Sequence, residues 1–105
     1  MFSNVVAGLG LLLSAAFLPD TSTMTPFATK MIDCNQYAIH ALAYDPNPAE
    51  DALVVEYRVG GVLIAVHDAR DQKVYIVEGR LVLSAADAAA KYDNNLCRIP
   101  VPKTA

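Results

Sequence analysis

Two cysteines, two histidines and a scatter of carboxylates are the side chains in this 105-residue sequence best suited to redox, metal or acid–base chemistry. A zinc site needs three or four converging ligands, and the available set of Cys34, Cys97, His40 and His67 matches no zinc spacing. His67 stands beside Asp68, the one tempting acid–base pair. On a strand, however, consecutive side chains point to opposite faces, so the two would not meet. Glu50, Asp51 and Glu56 add carboxylates without an apolar pocket around them, as on a solvated face. The residue types therefore point away from an enzyme, and no catalytic residue, metal or cofactor is expected.

The cysteines carry a different message. Both follow an uncharged, apolar start, Met1 to Leu18, whose run Val5 to Leu13 is too short to cross a bilayer and leads into Ser14-Ala15-Ala16, a small-x-small cleavage site. This reads as a signal peptide over 1–16, followed by a flexible arm over 17–31 and a single β-rich domain over 32–103. In an oxidising compartment two cysteines predict one disulfide, Cys34 to Cys97. A domain of this size has a marginal core, and such a staple restricts its unfolded chain by roughly 4 kcal/mol.

The formal charge of -3 arises from interleaved signs, Arg58, Arg70, Lys73 and Arg80 among Glu56, Asp68, Asp71 and Glu78. Nucleic acid and a polybasic membrane mode are both disfavoured by that pattern. After signal removal no second apolar span remains, and the expected product is a secreted monomer.

The elements that would position these residues are mostly strands. Gln36 to Tyr44 fits either alternation or a helical stripe begun at Thr25-Pro26, with the strand preferred, and Asp45-Pro46-Asn47-Pro48 ends it. Leu53–Val59 and Val62–His67 flank Gly60-Gly61, a two-residue hairpin turn. An unbroken register would set Val59, Tyr57 and Val55 against Val62, Ile64 and Val66. The other face would then carry Arg58 against Leu63, Glu56 against Ala65 and Val54 against His67. Asp68 to Lys73 reads as a polar turn, Val74 to Val77 and Arg80 to Leu83 as strands around Gly79, and Ser84 as the cap of a short helix from Ala85 to Tyr92. Leu96 to Val101 suggests a last edge strand.

Several of these segments resemble the MAX effectors, the secreted avirulence proteins of the rice blast fungus and the related ToxB toxins. The likeness lies in a cysteine opening the first strand, Val55-Glu56-Tyr57-Arg58-Val59-Gly60-Gly61, Val74 to Glu78, Val82-Leu83-Ser84 and Tyr92 to Cys97. It implies a small six-stranded antiparallel β-sandwich with one disulfide, here with a short helix near the C-terminus. It also implies a secreted virulence protein, translocated into the host cell, that binds a host protein without catalysis. The partner it implies is a heavy-metal-associated domain of a plant protein or immune receptor, held by pairing of strand edges.

On that reading Val54, Glu56, Arg58 and His67 are the candidate partner-binding residues, with backbone pairing supplying affinity and charge supplying selection. An alternative on the same scaffold is an extracellular enzyme inhibitor that presents the loop from Asp45 to Asp51.

Overall fold

The computed structural model describes residues 20–47, 49 and 52–103. The signal peptide expected over 1–16 lies outside these residues, and the 45–51 loop lies partly outside them. Six strands follow one another: β1 (Ala28–Asp33), β2 (Ala38–Tyr44), β3 (Val54–Val59), β4 (Val62–Asp68), β5 (Lys73–Ile76) and β6 (Leu81–Ser84). Each pairs antiparallel with the next, so the sheet order is the chain order and β1 and β6 are its two edges. The mainly β, six-stranded antiparallel architecture matches the expectation, with the strands joined in one sheet. Short connections explain the topology, because an antiparallel neighbour can be reached by a tight turn and a parallel one cannot.

The turns have identifiable chemistry. Gly60 and Gly61 both take positive φ, 56° and 83°, as the type I′ hairpin turn requires. Asn35, at φ 76°, turns the chain between β1 and β2, and its N–H is held by the Asp33 carboxylate at 2.9 Å. A short helix, α1 (Ala85–Lys91), begins where Ser84 accepts the Asp87 N–H at 3.0 Å, as its capping spacing predicts.

One face of the sheet packs beneath α1 and the C-terminal segment. Ile39, Ile64, Ala65, Val74 and Ile76 join Ala88 and Ile99 in this buried cluster, with Tyr37, Tyr57, Leu83, Tyr92 and Leu96 packed around it. Ile39, Ile64 and Ile76 are essentially inaccessible, and burying each contributes about 1.5–3 kcal/mol. The disulfide Cys34–Cys97 links the end of β1 to the segment after α1, across a sequence separation of 63. Tyr37 reinforces that closure by donating its hydroxyl to the Cys97 carbonyl at 2.9 Å.

Three local expectations are revised. Ordered pairing starts at Ala28, inside the segment assigned to the arm, because β1 is held by backbone bonds to β2 and five of its six side chains are exposed. A hydrophobic pattern does not register such a strand. Leu96–Arg98 forms a single 3-10 turn, with the Asn95 side chain accepting the Cys97 N–H at 3.0 Å; the anticipated terminal edge strand is absent there. Capping and the disulfide fix the chain in a turn before the prolines are reached.

The third revision concerns the β3–β4 hairpin. Val59 opposes Val62 and Arg58 opposes Leu63 as expected, but Tyr57 then opposes Ala65, leaving Ile64 as an extra residue in a β-bulge. Beyond it Glu56 faces Val66, Val55 faces His67 and Val54 faces Asp68. The bulge places Ile64 and Ala65 together in the core, which the unbroken register could not do.

Candidate functional site

The sheet edges are the first place where a partner could add a strand, since an edge presents unpaired N–H and C=O groups. The hairpin that carries Val54, Glu56 and Arg58 is not an edge: β3 lies between β2 and β4 and its backbone is paired on both sides. Val54 is moreover buried. The longer edge is β1, with six residues against four in β6. The Cys34 N–H donates to Tyr37 O at 2.8 Å, marking a pair whose backbone groups point inward. By antiparallel alternation the N–H and C=O groups of Thr29, Met31 and Asp33 point outward from β1. Phe27 and Met31 flank this edge at 64% and 60% exposure, the two most exposed large apolar side chains among the described residues.

From that edge a row of side chains crosses one face of the sheet. Met31 pairs with His40, and His40 pairs with Arg58. His40 is exposed, and Arg58 retains about a third of its side-chain surface. The row thus runs from an apolar edge residue through an imidazole to a guanidinium. Met31 and His40 were absent from the sequence-derived site; the alternation of Tyr37 to Tyr44 would have put His40 on that face, had β1 been recognised beside it.

Arg58 does not stand free. Its Nε donates to Glu56 Oε1 at 3.0 Å and its Nη1 to the Gly61 carbonyl at 2.9 Å, while Thr21 Oγ1 donates to Glu56 Oε2 at 2.6 Å. Glu56 is buried, so its carboxylate is satisfied by these two side chains and is no contact for a partner. A second such cluster closes the other end of the hairpin. Arg70 reaches Asp68 with Nε at 2.9 Å and with Nη2, and its backbone N–H adds a bond at 3.0 Å. These hydrogen bonds from Arg70 hold the Asp68 carboxyl below its ordinary value.

His67 is separated from the other candidates. The bulge at Ile64 shifts the register by one, which turns every later side chain of β4 to the opposite face. His67 consequently shares a face with Tyr57 and lines a cavity of about 240 Å³ beneath α1, together with Val74, Ala88, Tyr92 and Ile99. Its Nε2 is buried and has no hydrogen-bond partner. Tyr57, on the same wall, has its phenol pushed up by burial.

Among the described residues no group of three or more His, Cys, Asp or Glu side chains converges as metal ligands, and no helix is long and apolar enough to cross a membrane. Comparisons with protein-family models, with curated proteins and with solved structures find no match.

Proposed function

We propose that this protein is a secreted effector that binds a host protein by accepting a partner strand along β1 and so modulates plant immunity. The observation that carries the reading is the outward-facing backbone of Thr29 and Met31, set beside the exposed side chains of Phe27 and Met31. Main-chain bonds would supply affinity, and Met31, His40 and Arg58 would meet the side chains of the incoming strand. The resemblance to MAX effectors supports a heavy-metal-associated domain as the partner, because such a domain offers a sheet edge of its own. The disulfide supports secretion, since such bonds persist in oxidising compartments.

The decisive substitution is Met31→Pro in the oxidised, secreted protein. It removes an outward donor without removing a β1–β2 bond, and proline is tolerated on an edge strand. Titration against heavy-metal-associated domains of plant proteins should show binding by the parent protein and at least a tenfold loss for M31P. Val82→Pro, on the other edge, should bind as the parent does. Folding is checked by circular dichroism and by the absence of free thiols. If folded M31P binds like the parent while V82P does not, β6 is the docking edge; if both bind like the parent, strand addition is wrong.

A further inference from the structure

We infer that Thr23 and Thr25, in the segment ahead of β1, are acceptor sites for O-linked glycosylation, each taking a sugar on its hydroxyl oxygen. Modification there rests on the proposed secretion, because a chain meets such transferases and their sugar donors in that pathway. It does not depend on strand addition at β1.

The sequence supplies the acceptor chemistry. Residues 20–26 read Asp-Thr-Ser-Thr-Met-Thr-Pro, and a hydroxyl-rich stretch with proline is the composition that carries O-linked sugars. No Asn-x-Ser or Asn-x-Thr triplet occurs in the chain, so an N-linked glycan has no acceptor. Pro26 keeps Thr25 in extended backbone, clear of a helix. In the reaction the threonine Oγ1 attacks the anomeric carbon of a phosphate-linked sugar donor and forms the new C–O bond. The bond from that carbon to the donor's phosphate oxygen breaks, the phosphate leaves with the electron pair, and a base of the transferase takes the hydroxyl proton.

The structure then separates the hydroxyls of this segment from one another. Thr21 to Met24 form a turn, closed by the Met24 N–H donating to the Thr21 carbonyl at 3.0 Å, with Ser22 and Thr23 at its corner. Ser22, Thr23 and Thr25 are exposed, and no residue from 20 to 26 belongs to a helix or strand, so a transferase can reach them without breaking a ladder bond. Thr21 is different. It is half-buried, and its Oγ1 donates to the buried Glu56 carboxylate at 2.6 Å, so a sugar there would break that bond and leave Glu56 short of a partner. Ser22 is engaged as well: the Asp20 carboxylate accepts its N–H at 3.0 Å and its hydroxyl, and these bonds hold the Asp20 carboxyl below its ordinary value. Thr23 and Thr25 carry no such tie among the described residues.

The test uses the protein secreted by a yeast culture that expresses the full chain. No Lys or Arg precedes Lys30, so trypsin releases the whole segment as one peptide. Mass spectrometry with fragmentation of that peptide should find whole-sugar increments on Thr23 and Thr25 and none on Thr21. The increments should disappear when Thr23→Ala and Thr25→Ala are combined, a change that removes exposed hydroxyls and leaves the Thr21–Glu56 bond in place. A second culture carries the full chain behind an established secretion leader, so that entry into the pathway no longer depends on residues 1–16. Increments found only in that second culture support the acceptor sites and overturn the native leader. A secreted segment without sugar overturns the proposal. Increments on Thr21 overturn the protection by Glu56, and increments that survive the combined substitution overturn the assignment to Thr23 and Thr25.

Discussion

Charged residues on the sheet of this small domain serve two different purposes, and their burial separates them. Glu56 and Asp68 lie in β3 and β4 at about 5% and 3% exposure, each held by an arginine two positions along the chain. Removing either arginine would leave a buried carboxylate short of partners, which is costlier than losing an exposed ion pair. Asp68 allows a test with a definite sign. Arg70 depresses its folded pKa below the ordinary 3.8, so the pairing contributes stability above that value and loses it as pH falls through the folded value. Asp68→Asn should therefore be less stable at pH 7 by about 1 kcal/mol, a figure kept low because Arg70 is partly exposed to screening solvent. Urea unfolding from pH 7 to pH 2 should show the gap to wild type closing below pH 3.8.

At the scale of elements, one inserted residue decides where the candidate groups lie. The Ile64 bulge divides the hairpin into a tip that keeps the simple register and a base displaced by one position. Glu56 and Arg58, two residues apart on β3, share one face in either register, while the bulge turns His67 to the other face and so to the cavity. Ile64 is also fully buried beside Ile39 and Ile76. Ile64→Ala should cost about 2–5 kcal/mol, read from the denaturant midpoint, because the hole opens beneath the bulge where the backbone has little freedom to collapse. The same variant should perturb the His67 resonances more than those of His40, which lies across the sheet from the cavity.

For the whole molecule, the disulfide joins the beginning of the sheet to the end of the chain that covers it. Cys34 closes β1, and Cys97 lies in the 3-10 turn whose neighbours Leu96 and Ile99 pack on the core. Cys34→Ser should lower stability by about 2–5 kcal/mol in equilibrium denaturation. It should also loosen the 94–99 segment before the β2–β5 ladders, which hydrogen exchange would show as earlier loss of protection at Asn95 to Ile99. The β1 edge has β2 on only one side and the disulfide at its end, so the surface proposed for partner binding depends on the same bond.

Much of the architecture was legible because it rests on local chemistry. Paired glycines specify the hairpin turn, Ser84 caps its helix through its own hydroxyl, and a chain with two cysteines leaves one intramolecular pairing. Alternation in Val54–Val59 marks a strand for the same reason, whereas in Ala38–Tyr44 it competes with a helical stripe and the strand is decided by pairing with β1 and β3. What the chain alone did not disclose depends on neighbours distant in sequence. The β1 strand exists through backbone bonds to β2 and carries no apolar pattern; the 3-10 turn at Leu96–Arg98 is held by Asn95 and by a disulfide partner 63 residues away. The bulge at Ile64 is decided by packing, because either register pairs apolar residues and only the assembled core, with Ile39, Ala88 and Ile99 in place, favours burying Ile64 beside Ala65. That choice moved His67 to the cavity, and the order of strands placed Glu56 and Arg58 in the interior of the sheet, leaving Met31 at its edge.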